Sequence, residues 1–482
     1  MEVPKIQRVA VVGAGASGIL SAAHLIAAGL DVVVFERNSG PGGVWLYDER
    51  KIPRLAYPST KASRADVQVG EKLADDEALI MHAPPGPCYR NLKTNVPTPL
   101  MEVTLLAWPP CTPDYADHHL VQQYLYSISM QKKVHEATSY GARVQKVEKK
   151  EDGWLVMWTS LQSNEESLVI EKESASVRDS MVVANGHYHA PRIPDIPGLS
   201  QAKQRYGSRI MHSKEYRRPE DLKSKTVLMI GGGVSSVDIA TDISPFANSI
   251  YQSTRNSHFD LDAGMLPRNA TRVDEIALFE IHDDNDTLCA DDPLPVSCHL
   301  VSGKRLKGVH VIILCTGYHI TLPFLQDYHS DETRPENASD RILVSDGTQV
   351  HNLHKDMFYI HDPTLAFVGL PYYTFTFSVF DFQAIVVAQV LSGLVELPTK
   401  AEMRSEYEAK VLQVGHGRNF HSIHGKEEAY VADILSWANA NRVRRGLNPI
   451  AGFPPKWYEA KEALRRKFRQ DAEKRASEAW PM

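Results

Sequence analysis

The sequence predicts an α/β protein built from two Rossmann-type dinucleotide-binding domains, one inserted in the other. A short apolar strand followed at once by a glycine fingerprint occurs twice, at Gly13–Gly18 and at Gly231–Ser236, each leading into a helical stretch. Two further apolar strands exit into Asn185-Gly186 and Thr316-Gly317, which reads as two crossings between the domains. The expected limits are 1–205 with 326–482 for the discontinuous outer domain and 206–325 for the insert.

Arg8–Val12 is an apolar run of the kind buried in parallel sheets. In the turn that follows, Gly13 permits a tight reversal, Gly15 lets the backbone approach a pyrophosphate, and Gly18 lets the helix pack close to the strand. Ala16 and Ser17 open that helix, whose N-terminus favours phosphate charge. The next strand, Asp31–Phe35, ends at Glu36, placed to accept hydrogen bonds from ribose hydroxyls. Behind it comes Gly40-Pro41-Gly42-Gly43-Val44-Trp45. Gly43 lets the chain hug an extended ligand, and Val44 and Trp45 can cover it, which tilts the first nucleotide toward FAD.

Thr226–Ile230 repeats the pattern, with Gly231, Gly233 and Ser235 in the turn and Ser236 where a third glycine is usual. Helix and strand should therefore touch less closely here. The following strand ends in Ser253-Thr254-Arg255 and not in an acid, which favours the 2′-phosphate of NADPH over the free hydroxyl of NADH. Between the fingerprints, Ala142–Val147, Trp154–Thr159 and Leu168–Glu173 read as an antiparallel excursion.

Composition narrows the function. With 53 Lys+Arg against 59 Asp+Glu, the net charge of −6 offers no footprint for nucleic acid. Five cysteines without a Cys-x-x-Cys pair argue against a zinc ribbon, a redox dithiol or a secreted disulfide scaffold. No signal-peptide pattern and no apolar run of the ~20 residues needed to span a bilayer is seen, so a cytoplasmic protein is expected. His416, His421 and His424 lack an accompanying carboxylate motif, and no metal is expected. The polar stretch 46–88 reads as a surface loop or lid, and the charged C-terminus as a surface helix with one packed face.

Five blocks then make the sequence resemble the class B flavin-dependent monooxygenases, in the flavin-containing monooxygenase branch of microbes and fungi. They are Gly13–Gly18 with Glu36; Gly42–Trp45; the run Tyr89–Pro97 (YRNLKTNVP); Tyr206–Tyr216; and Gly231–Ser236 with Cys315–Tyr318. The family signature F-x-G-x-x-x-H-x-x-x-(Y/F/W) is met with Tyr206, His212 and Tyr216 in register, Ser208 at the glycine position and Gly207 beside it. Tyr216-Arg217 is closer to this branch than to Baeyer–Villiger enzymes.

The resemblance implies FAD on the first fingerprint, NADPH on the second, and a flavin C4a-hydroperoxide that gives oxygen to nitrogen or sulfur of a small organic substrate. It implies Asn95 and His212 as catalytic positions, His212 acting mainly by positioning NADP. Leu92, Thr94, Asn95, Thr316, Gly317 and Gln383 are implied as cofactor contacts, and Tyr372, Tyr373, Phe375 and Phe377 as candidates for the substrate wall. Small molecule and O2 are the expected partners, and a homodimer stays open. Baeyer–Villiger oxidation of ketones and uncoupled NADPH oxidation are the alternatives; a flavin disulfide reductase is disfavoured by the missing dithiol.

Overall fold

Each glycine fingerprint follows the middle strand of a five-stranded parallel array. The computed structural model describes residues 6–52, 55–66, 75–164, 167–174, 177–282 and 288–478. Arg8–Val12 is flanked by Asp31–Glu36 and Ser180–Val183, all parallel. Thr138–Tyr140 and Leu365–Phe367 extend the sheet on either side, and two short antiparallel strands at 353–354 and 358–359 bring it to seven. Val9, Ala10, Val11 and Val34 are fully buried, which is why these strands read as unbroken apolar runs.

Thr226–Ile230 centres a five-stranded parallel sheet, ordered Ala270–Val273, Ser249–Ser253, Thr226–Ile230, Val311–Leu314, Ile210–His212. Its connectivity repeats the first. Counted from the strand before each glycine turn, a three-stranded antiparallel sheet leaves after the third parallel strand in both domains and returns to a strand beside the first, through 142–174 and 276–306; Ile210–His212 of the second sheet comes earlier in the chain. The expected strands of the first excursion lie inside it.

The two expected crossings meet, Ala190–Pro191 pairing antiparallel with Tyr318–His319. Core membership moves the limits expected at 206 and 325 to this joint. Leu199 and Ala202 pack with Ile210, Leu228 and Ile312 of the second sheet, whereas Ile320, Leu322 and Phe324 pack with Phe35 and Val183 of the first.

Helix Thr376–Leu391 packs on Ala16–Ala27 and closes the outer face of the first sheet. The charged C-terminal helix Pro455–Glu478 buries Trp457 and Leu464, and its Lys461 reaches Glu427 and Glu428, each at 3.1 Å. Residues 479–482 of that tail lie outside the described ones. Among the described residues no helix is long and apolar enough to cross a membrane.

The stretch 46–88 corrects the expectation of a surface loop, although 53–54 and 67–74 lie outside the described residues. Ala62, Ala65, Asp66, His82 and Ala83 are buried, and Arg217 ties down the flanks of the stretch. Its Nε donates to the Asp48 carbonyl at 2.7 Å and its Nη2 to the Gly86 carbonyl at 3.1 Å, pinning both ends.

Candidate active site

The first turn is closed tightly. A Cβ at Gly18 would lie 1.8 Å from the Gly13 carbonyl oxygen, so only glycine lets the helix start this near the strand. Gly43 folds onto Gly15 so closely that a Cβ on it would lie 2.9 Å from the Gly15 Cα. Glu36 is buried; its Oε2 accepts the Ala14 N–H at 2.7 Å and its Oε1 accepts both the N–H and the side-chain amide of Asn38 at 2.8 Å, which leaves one lone pair, on Oε2, for a hydroxyl donor.

A cavity lies here, lined by Glu36, Arg37, Asp66 and Arg143, by Gly13, Gly15, Ala16 and Ser17, and by Gly43, Val44, Trp45, His187, Gly369 and Phe377. Trp45 and Phe377 meet edge to face at 6.2 Å. The His187 ring lies beside Gly369, yet its two ring nitrogens are buried and complete no hydrogen bond. Burial pushes its pKa down to about 4, so it is a neutral imidazole offering one donor and one acceptor. Helix N–H groups, a ribose-suited carboxylate, apolar walls and an unsatisfied imidazole together fit a flavin dinucleotide.

The joint between the domains is equally specific. His212 is fully buried, with Nε2 donating to the Gly317 carbonyl at 3.1 Å and Nδ1 accepting the Lys214 N–H at 3.1 Å. Burial pushes its pKa down to about 3. A neutral imidazole with both nitrogens engaged is a strut between Gly317 and Lys214. Lys214 Nζ donates to the His189 carbonyl at 2.6 Å, and burial lowers this lysine to about 7. The His189 ring in turn accepts from Arg37 at 2.8 Å. Gly207, and not Ser208, takes the left-handed conformation (φ +53°) that ends helix Leu199–Tyr206.

The second turn is looser. Ser236 is buried where the first turn has room for no side chain, and its hydroxyl accepts the Gln252 amide at 2.8 Å. Ser235 is exposed on the first turn of helix Val234–Ile243, and Gly233 has open space around it. Ser253 donates its hydroxyl to the Asp274 carbonyl at 2.9 Å, Thr254 is buried, and Arg255 is exposed. A residue that the sequence reading passed over completes the turn. The Asp260 carboxyl carbon lies 2.6 Å from where a Cβ on Gly232 would stand.

Residues 86–264 match the FMO-like, flavin-binding monooxygenase-like family, and 11–65 match the NAD(P)-binding Rossmann-like domain. Flavin-containing monooxygenase ustF2 of Aspergillus flavus is 57% identical over 98% of this chain and 99% of its own. The chain belongs to the flavin-containing monooxygenases. A second Aspergillus flavus member, ustF1, is 41% identical over 96% of this chain and 91% of its own. Among solved structures, S-allyl-L-cysteine S-oxygenase from Allium sativum shares the fold, with TM-score 0.68 and 24% identity over 98% of this chain and 97% of that one. As a flavin-containing monooxygenase the protein is an FAD- and NADPH-dependent oxidoreductase.

Several residues implied by the monooxygenase resemblance stand away from the first cavity. Leu92 packs beside Tyr89 and Tyr216, Thr94 accepts the Ala116 N–H at 3.2 Å, and Asn95 is exposed on the same connection. Thr316 donates to the Arg192 carbonyl, and the Gly317 carbonyl also accepts the Arg192 N–H at 2.9 Å, so both hold the joint. Gln383 stands behind the wall: its amide accepts the Gly369 N–H at 3.0 Å and donates to Tyr430 at 2.7 Å.

The four aromatics do not form one surface. Phe377 borders the cavity, Phe375 packs on Trp457 at 5.5 Å, Tyr372 lies between His187 and Tyr373, and Tyr373 stacks on Phe259 at 5.8 Å. His421 is fully engaged, with Nδ1 donating to Asp356 at 2.9 Å and Nε2 accepting the Val350 N–H at 2.9 Å.

Proposed function

We propose that the protein uses NADPH and O2 to place one oxygen atom on a neutral nitrogen or sulfur nucleophile of a small organic substrate. FAD held in the first cavity would supply the oxygen-activating chemistry, and NADPH held at the second turn the reducing equivalents. The chain holds the two nucleotides in register through the His212–Gly317 and Lys214–His189 contacts. Trp45 and Phe377 keep water from the part of the cavity they line, and neutral His187 offers a hydrogen bond without adding charge. Asn95 is assigned the role of an amide donor and acceptor near the second nucleotide.

The observation that carries the reading is the uncharged part of the lining around Trp45 and Phe377, set apart from the Arg37 and Arg143 that also line the cavity. Gly43, Val44, Trp45, His187, Gly369 and Phe377 include no Lys or Arg. Attack on a ketone carbonyl builds negative charge on oxygen and asks for a cation or paired donors, whereas an amine or thioether lone pair needs neither. A disulfide-reductase reading is opposed by Cys88, the thiol beside Trp45: it is free, and burial pushes its pKa up to about 12.

The test is anaerobic reduction followed by product analysis. The purified yellow protein should bleach with NADPH, and with O2 should convert a tertiary amine or a thioether in a panel, one NADPH per oxygenated product. Conversion of the panel's ketone to an ester instead would overturn the choice of nucleophile. Hydrogen peroxide without any product would mark an oxidase.

A further inference from the structure

We infer that Asp260 is the ribose-facing carboxylate of the second nucleotide site and limits how strongly the enzyme prefers NADPH over NADH. The inference rests on the assignment of NADPH to the second turn. Sheet register places the residues. Val12 pairs with Phe35 in the first domain and Ile230 with Ser253 in the second, so Thr254 stands where Glu36 does and Arg255 where Arg37 does. Thr254 brings no charge to that position.

The carboxylate arrives instead from the loop beyond it. The Leu261 N–H donates to the Gly232 carbonyl at 2.8 Å, the counterpart of the Gly42 N–H on the Ala14 carbonyl at 3.0 Å. Asp260, one residue earlier, then lies over the turn. Its Oδ1 is 2.7 Å from the point where a Cβ on Gly232 would stand, and the Thr254 methyl is 2.8 Å from that same point. The Ser257 N–H donates to Oδ2 at 3.0 Å and leaves Oδ1 at the turn.

The loop is tied to the other domain. Phe259 stacks on Tyr373 with planes 15° apart, the Arg418 guanidinium lies 5.7 Å from the Phe259 ring, and His258 meets Asn419 at 3.1 Å. Asp260 is therefore held at the strand end, where the adenosine ribose lies in a Rossmann site. A carboxylate there accepts from a 2′-hydroxyl and repels a 2′-phosphate, while exposed Arg255 does the reverse. Two opposed charges act on one ribose position, and a like charge at this range changes affinity by about tenfold in a partly aqueous site.

The experiment titrates NADP+ and NAD+ separately into the FAD-loaded protein by calorimetry. Asp260→Asn keeps an acceptor for the Ser257 N–H and removes the charge; Asp260→Glu keeps the charge. Asp260→Asn should tighten NADP+ about tenfold without tightening NAD+, with the gain shrinking as salt is raised, and Asp260→Glu should stay near the parent ratio. Equal change for both nucleotides, or none for either, overturns the inference. Arg255→Ala separates the two levels of the argument. If it weakens NADP+ while Asp260→Asn is neutral, the Asp260 inference alone fails. If it too leaves NADP+ unchanged, the nucleotide assignment of the second turn fails.

Discussion

The two nucleotide domains share a strand order and an excursion point, and differ in how the glycine turn is closed. In the first, Gly18 admits no side chain, Gly43 presses on Gly15, and Glu36 is 5% exposed. In the second, Ser236 fits where glycine is usual, Gly233 is open, and the charged groups Arg255 and Asp260 sit on an accessible loop. A sealed turn suits a resident cofactor, and an open one suits a nucleotide that binds and leaves with each catalytic cycle. The same topology carries a closed turn and a more open one because only the last few atoms of each turn differ.

The strongest way to break this contrast is Gly18→Ala. The added methyl meets the Gly13 carbonyl, a backbone atom at 1.8 Å that cannot turn aside. A cost of about 3 kcal/mol or more is expected. The purified variant should be poorly folded or colourless, read by flavin absorbance per protein and by thermal melting. A yellow variant melting with the wild type would show that the first turn is no tighter than the second.

The joint gives the next effect. His212 holds its proton only below about pH 3 in the fold, against an ordinary value of 6.5, because burial disfavours the charged ring. Between those values the unfolded chain binds a proton that the native one does not. Stability from this group is therefore complete above pH 6.5 and falls as pH drops toward 3. His82, His187 and His351, each pushed down to about 4 by burial, act in the same window. His212→Gln can keep both hydrogen bonds and removes one titrating site. The slope of unfolding free energy between pH 6 and 4 should flatten by about 1.4 kcal/mol per pH unit. An unchanged slope would mean that His212 is charged or hydrated, and the strut would lose its basis.

Much of this contrast was legible in the sequence, for a physical reason. Parallel strands buried on both faces must be apolar throughout, and a pyrophosphate turn must contain glycine, so both signals are local. The departure at Ser236 was visible as well. What was hidden depends on return paths of the chain. Asp260 follows Thr254 in a polar loop, and contacts made far from it in sequence, the Leu261–Gly232 hydrogen bond among them, bring it back to the turn. Arg217 appeared only as the residue after the signature's terminal Tyr216, while its grip on Asp48 and Gly86 joins segments far apart in sequence. Phe375 and Phe377 are two residues apart where a helix begins and so point to different sides, one to Trp457 and one to the cavity. Aromatic composition alone could not separate them.

The smallest effect probes the looser turn directly. Ser236→Ala keeps a Cβ of the same size and removes only the hydroxyl that accepts the Gln252 amide. Gln252 is fully buried, and its carbonyl oxygen remains bonded to Arg272 Nε at 2.9 Å, so one donor is orphaned and the network otherwise stands. A loss of about 1 kcal/mol is expected, read as a modest drop in melting temperature. Flavin content should be unchanged, because Ser236 and Gln252 belong to the second sheet alone. Loss of flavin on this substitution would mean that the second turn supports the first cavity, and the separation of a sealed site from an open one would no longer hold.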